Sequence, residues 1–414
     1  MRTCRPPRVQ YRAVTTLDAP AGPQRAADAA STQPVYLDCN ATTPIDPRVA
    51  DEVMHYLTVD YGNAGSRTHT YGQTAKDRVQ HARRQVAVLA DAQPDEVIFT
   101  SGATESNNLA LLGLAPEGQR TNRRHIISTA IEHKAVLEPL EALSSQGFDV
   151  TLLKPTKGGW VGAEQVTAAL RPDTLLVSVM HVNNETGVIQ PIEQIADALA
   201  GHPAYFHVDA AQGYGKLLTP LRHPRIDLTS ISGHKIYGPK GIGALIARRR
   251  RFSRPPLTPL VHGGGQERGL RAGTLPVALI AGLGAAAQLA HREHTTREHA
   301  CAQFKQRLLD ALAPLSPAVN GEPSRTIAST INISIPTRAG DSYADSEAVM
   351  LALKDTVAIS NGSACTSQSY DPSHVLTAMG LSADRVQGAL RFSWSYLSTE
   401  PDWHQLQQSI AQIL

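Results

Sequence analysis

Lys235 lies in Ser232-Gly-His-Lys-Ile-Tyr-Gly-Pro-Lys-Gly241, where four Gly or Pro residues make a tight, rigid loop. The apolar run 226–232 before it reads as a buried strand, so the lysine falls just past a strand end. Lysine is a covalent catalyst when its amine loses its proton easily and meets a carbonyl. Ser232 and His234 are suited to hold an anion beside it. Read alone, a lysine in such a loop more often faces solvent, and other motifs have to decide.

Upstream, His207-Val-Asp-Ala-Ala-Gln212 follows the strand-like run 204–208, which puts Asp209 at a strand's carboxyl end. Ligands of open α/β sheets gather at that edge. A pyridoxal cofactor needs an acid against its ring nitrogen, because the protonated ring draws electrons from the substrate carbon. Asp209 suits that role, and Gln212 could donate to the ring's phenolic oxygen. A plain helix cap is the competing reading of Asp209. Phe99-Thr-Ser-Gly-Ala-Thr-Glu-Ser-Asn-Asn108 lies between a strand and an apolar helix that starts near Ala103. Backbone N–H groups at that start, at Ala103 and Thr104, could cradle a phosphate; an ordinary capped helix is the alternative. His133, in Ile131-Glu-His-Lys-Ala135, could lie flat against a ring; a structural histidine is the alternative. Asn184, in His181-Val-Asn-Asn-Glu-Thr-Gly187, could bond both cofactor and a substrate carboxylate.

These motifs occur in a specific order, joined by Tyr-Leu-Asp-Cys-Asn-Ala-Thr-Thr at 36–43, Arg-Ala-Gly-Thr at 271–274 and Gly-Ser-Ala-Cys-Thr-Ser at 362–367. From Tyr36 to its end the chain resembles the cysteine desulfurases of the NifS/IscS type, class V aminotransferase-like enzymes that use pyridoxal 5'-phosphate. The resemblance implies the type I fold of such transferases. It implies that Lys235 carries the cofactor and moves the α-proton of L-cysteine, with Asp209 on the ring nitrogen and His133 stacked on the ring. It implies cofactor contacts from Ala103, Thr104, Asn184, Gln212, Ser232 and His234. Thr274 matches a residue that reaches the phosphate of the opposite subunit, which implies a homodimer.

Cys365 stands in a Gly/Ser-rich loop after the strand-like run 357–360, and its small neighbours leave a thiol accessible. The resemblance makes it the acceptor of the substrate sulfur, released onward as a persulfide. Arg391 lies in the strand-like run 389–394 and suits bidentate carboxylate binding. The family's matching arginine binds the substrate carboxylate, with Asn40 and Asn184 as its helpers. An aminotransferase or a selenocysteine lyase would share Lys235 and Asp209, but an aminotransferase needs no loop cysteine. The segments 61–72, 211–216 and 391–394 look like those of cysteine desulfurases that feed DNA phosphorothioation. A sulfur donor for iron–sulfur assembly or tRNA thiolation is the alternative. Assembly members carry a scaffold-docking tail, and this sequence ends at Leu414, soon after its last expected helix.

Composition sets the bounds. The 414 residues suffice for two domains, and a net charge of +2 at pH 7 lacks the basicity of a nucleic-acid binder. The cysteines Cys4, Cys39, Cys301 and Cys365 are scattered without a Cys-x-x-Cys pair, which speaks against a metal site and for a reducing cytoplasm. Cys39 reads as structural. The Ala/Gly-rich stretch 277–290 is too short to span a bilayer. Arg248 to Arg251 read as a solvated basic edge, with a nucleic-acid or acidic-protein contact as the sharper alternative.

The elements that must position these residues follow from periodicity. Residues 1–34 are rich in Ala, Arg, Pro and Gln and read as a disordered tail. Strands are expected at 97–100, 125–129, 175–182, 204–208, 226–232 and 242–247, with helices at 103–113, 136–144 and 192–199. This rhythm predicts an α/β fold with a large, mostly parallel sheet covered by helices on both faces. After about Gly284 the pattern becomes helix-rich, then mixes strands, including 330–335, with helices. A large domain at 46–284 is expected, with a smaller α+β domain built from 35–45 and 285–414.

Overall fold

Runs of Val, Ile, Leu and Ala can be buried on both faces only in a sheet that helices cover. The computed structural model describes residues 33–361 and 372–414. Residues 1–32 of the expected tail and the 362–367 motif with Cys365 lie outside the described residues. The strands run in chain order as β1 (Val35–Tyr36), β2 (Val97–Thr100), β3 (His125–Thr129), β4 (Asp149–Leu153), β5 (Thr174–Met180) and β6 (Tyr205–Asp209). They continue as β7 (Leu228–Ser232), β8 (Gly243–Ala247), β9 (Ala318–Val319), β10 (Thr330–Ser334), β11 (Val357–Ala358) and β12 (Ala389–Ser393).

Seven strands form one sheet in the order β2-β8-β7-β6-β5-β3-β4. The run from β7 to β4 is parallel, whereas β8 lies antiparallel to both β7 and β2. Two reversals cancel, so β2 and β7 end at the same edge. The register places Thr100 and Ser232 on either side of Gly243. β2, β3, β5, β7 and β8 are buried along their whole length, and successive residues enter opposite cores. Val97 and Phe99 face the core that holds Val86, Ile231 and Leu283, while Ile98 joins Leu109, Ile126 and Leu245. The edge strand β4 is half exposed, and its weak apolar signal explains why no strand is expected there.

The remaining strands make a three-stranded sheet, β12-β10-β9, and a parallel pair, β1-β11, linked through bridges from Asp38 to Ser393 and from Ser360 to Arg391. Their core contains Phe304 and Trp394, stacked with centroids 5.2 Å apart. A single helix, Val277–Leu312, serves both regions. Ile280 and Leu283 pack on the large sheet, and Cys301, Leu308 and Leu312 pack on the small one. The change of pattern expected near Gly284 therefore falls inside a continuous helix. Among the described residues no helix is long and apolar enough to cross a membrane. None of them form a cluster of three or more His, Cys, Asp or Glu fit for a metal ion.

The basic run differs from its expectation. Arg248 donates to the carbonyls of Ala90 and Leu221, Arg249 pairs with Asp95, and Arg250 pairs with Asp227 at 2.6 Å. Only Arg251 of the four is fully exposed. These arginines tie strand ends together, and their partners, 23 to 158 residues away in the chain, gave no local signal.

Candidate active site

The carboxyl ends of β2, β3, β5, β6 and β7 open on one cavity of about 680 Å³. Lys235 ends a single 3-10 turn after β7, Gly233–Lys235. That turn is tight: a Cβ at Gly233 would sit 3.0 Å from the carbonyl oxygens of Ile242 and Pro239. Thr43 pins it from outside, donating to the His234 carbonyl at 2.9 Å and accepting from the Tyr237 N–H at 3.0 Å. The Lys235 Nζ donates to the carbonyls of Asn40 and Ala41, the latter at 2.8 Å.

Asp209 is the last residue of β6 and is 5% exposed. Its Oδ1 accepts from the Ala211 N–H at 2.9 Å and its Oδ2 from Asn107 Nδ2 at 2.7 Å. The first bond resembles the capping expected as an alternative; the second aims the carboxylate across the cavity floor. Asn107 belongs to the helix Ala103–Leu112, whose first turn faces the same cavity. Gly102, just before that helix, lies against Gly243 so closely that a Cβ at Gly243 would come within 2.7 Å of the Gly102 Cα. That approach brings the N–H groups of Ala103 and Thr104 to the strand end that bears Ser232. N–H groups of a first turn have no acceptor within their own helix.

His133 caps the helix Lys134–Ser145, its Nδ1 accepting from the Ala135 N–H at 3.0 Å. The helix thus begins two residues before the expected start at Val136. An accepting Nδ1 leaves Nε2 as the protonated nitrogen of the neutral ring. Burial pushes His133 below the usual histidine range, Lys235 and His374 add to this, and Asp209 opposes it. His234 is pushed down to about 4 by burial and by Lys235, Lys240 and Lys216. Its Nδ1 lies 3.1 Å from Thr42 Oγ1. Beneath the site Glu132 is fully buried; burial and the Asp209 charge raise it to about 8 despite hydrogen bonds from Thr129 and the Met180 N–H.

A class-V aminotransferase model matches residues 35–406. The IscS cysteine desulfurase of Shewanella putrefaciens is 44% identical over 382 residues, covering 92% of each chain. The chain belongs to the class-V aminotransferase family, among its cysteine desulfurases. The solved DndA of Streptomyces lividans is 52% identical, with a TM-score of 0.76, over 86% of this chain and 98% of that one. SspA, solved in complex with cysteine, is 38% identical with a TM-score of 0.76, over 87% of this chain and 98% of that one. The protein is therefore a pyridoxal phosphate-dependent enzyme with the fold of that family.

The cavity of this cysteine desulfurase fits the cofactor. An amine, an acid and a helix start converge on it, and its buried Gln212 Oε1 and Asn107 Oδ1 have no partner among the described residues. Asn40, Ala103, Thr104, His133, Asn184, Asp209, Gln212, Ser232, His234 and Lys235 all line it. Asn107 was missed by sequence reasoning, although it stands within the quoted motif, one helical turn after Ala103. Two expected residues lie outside the lining. Thr274 is exposed. Arg391 is fully buried and already ion-paired, its Nη2 on Asp38 at 2.7 Å and its Nη1 on the Asn184 carbonyl at 3.0 Å. Asn40 is likewise engaged, donating to the Asn184 carbonyl at 3.0 Å and accepting from Thr330 at 3.1 Å. Arg391, Asn40 and Asn184 thus form one network that runs from the cavity lining, at Asn40 and Asn184, to the buried Arg391. Cys39 is 2% exposed, and burial pushes its thiol up to about 11, in keeping with a structural role.

Proposed function

We propose that this cysteine desulfurase holds its cofactor on Lys235, takes L-cysteine, and passes the sulfur to Cys365. The observation that carries this reading is the meeting of Lys235, Asp209 and the Ala103 helix start in one cavity. When bound, pyridoxal phosphate supplies a carbonyl for an amine and a ring that draws electrons from the substrate α-carbon. Asp209, fixed by Asn107 and the Ala211 N–H, holds a proton on the ring nitrogen. Ala103, Thr104, Ser232 and His234 hold the phosphate. His133 would stack on the cofactor's ring, and Gln212 and Asn184 would supply polar contacts to it. Lys235, displaced by the substrate amine, moves the α-proton. Arg391 takes the substrate carboxylate in exchange for Asp38, with Asn40 and Asn184 setting its direction. The Cys365 thiolate attacks the substrate sulfur: an S–S bond forms, the C–S bond breaks with its pair to carbon, and protonation yields alanine.

We read the chain as a homodimer in which Thr274 reaches the partner's phosphate site; its exposed position, outside its own chain's cavity lining, supports this. The large domain spans 46–284, and 35–45 with 285–414 form the smaller one. For the onward step we favour a phosphorothioation acceptor protein, because identity to DndA is 52% against 44% to 46% to the IscS desulfurases. A cluster-assembly or tRNA-thiolation acceptor is the alternative. The test adds L-cysteine to purified enzyme and follows alanine release and persulfide mapping by mass spectrometry. Cys365→Ser should bind cofactor and cysteine yet form no persulfide. A persulfide on Cys39, or parental turnover in Cys365→Ser, would sink the sulfur route.

A further inference from the structure

A second cavity of about 300 Å³ lies beside the segment that also serves the first: Gln212 lines one, Lys216 and Leu217 the other. Its volume is roughly that of ten water-sized groups. Ile189, Leu217 and Ile327 give it apolar wall. Its charged groups are Lys216, Arg297, Lys305 and Glu298, with His294 beside them. Arg297 is already balanced, at 2.8 Å from Glu293 and 3.6 Å from Asp46, and lies against the rings of Tyr237 and Tyr396, which meet edge to face. Glu298 is exposed on the helix surface. Among the described residues Lys305 has only the Ile327 carbonyl, at 3.2 Å. Lys216 is partly buried and has no hydrogen-bond or ion-pair partner among the described residues; the titratable groups near it are the neutral thiols Cys39 and Cys301. An ammonium withdrawn from water without a counter-charge is costly, and an anion in the cavity removes that cost.

We propose that this cavity binds a small organic anion, a carboxylate or phosphate on an apolar body, with Lys216 and Lys305 on its charged head. Burial holds Lys216 below the usual lysine range and Lys305 down to about 8, the state expected of amines awaiting a negative partner. The site does not depend on the sulfur route.

The test uses cofactor-loaded enzyme, whose phosphate cradle is filled. Calorimetry with phenyl phosphate and with phenylacetate separates the two head groups, and benzyl alcohol tests the apolar body alone. At least one anion should bind saturably and the alcohol should not. Losing one charged donor should weaken binding about tenfold in Lys305→Met, and Lys216→Met should do at least as much. Should Lys216→Met fail to fold, Lys305→Met decides. Absence of saturable anion binding, equal binding of the alcohol, or unchanged affinity in Lys305→Met overturns the site.

Discussion

Two lysines leave the same sheet edge and meet opposite surroundings. Lys235 reaches two backbone carbonyls in a cavity that also presents Asp209 and a helix start. Lys216 points into a cavity with two buried thiols near it, both pushed up to about 11 by burial. Residue type is the same; what differs is whether groups of complementary charge converge. A buried amine or thiol without such neighbours is inert or waits for a ligand, whereas the Lys235 cavity assembles an acid, a base and an anion cradle.

The largest effect should come from Lys235→Ala. It should abolish the visible absorbance of lysine-bound pyridoxal phosphate and lower alanine formation by at least about 10³-fold. A yellow variant whose cofactor is reducible onto another lysine would break the comparison. Asp209→Asn follows, with a loss of about 10²-fold in turnover, since a neutral amide holds no proton on the ring nitrogen. Asn107→Ala should fall between this variant and the parent, because it frees Oδ2 without removing the carboxylate.

Glu132 sharpens the comparison from beneath the first cavity. Its folded-state value of about 8 lies above the ordinary carboxylate value, so the folded chain binds the extra proton. The stability this contributes is complete at acid pH and is lost as pH rises toward about 8. Glu132→Gln keeps an acceptor for Thr129 and the Met180 N–H. Denaturant titrations should show a flatter pH profile over that window, and a variant stabilised above pH 8 relative to the parent. A profile identical to the parent would show that Glu132 is ionised in the fold. The smallest effect is expected for Cys39→Ser and Cys301→Ser, which should each keep most of the desulfurase rate, because neither thiol supplies a thiolate.

The site was legible wherever chemistry sits next to its own strand end. Lys235, Asp209, His133 and the Ala103 helix start follow runs whose apolar pattern marks strands, and a parallel sheet delivers all such ends to one edge. Asn107 was hidden because its role depends on Asp209, far away in the chain. The Arg391–Asp38 ion pair, the Arg248–Arg250 anchors and the single helix spanning Gly284 were hidden for the same reason.

By itself, then, the sequence determined the strand and helix types, the mostly parallel sheet and which chemistry-bearing side chains follow strand ends. These depend on local periodicity and on what each functional group can do. Only the tertiary structure decided that β8 turns antiparallel, which returns Thr100 and Ser232 to one edge. It also decided that Arg391 rests on Asp38, and that Lys216 faces a cavity with no ion-pair partner among the described residues. Those outcomes depend on contacts between segments far apart in the chain, where burial and charge pairing are settled by packing.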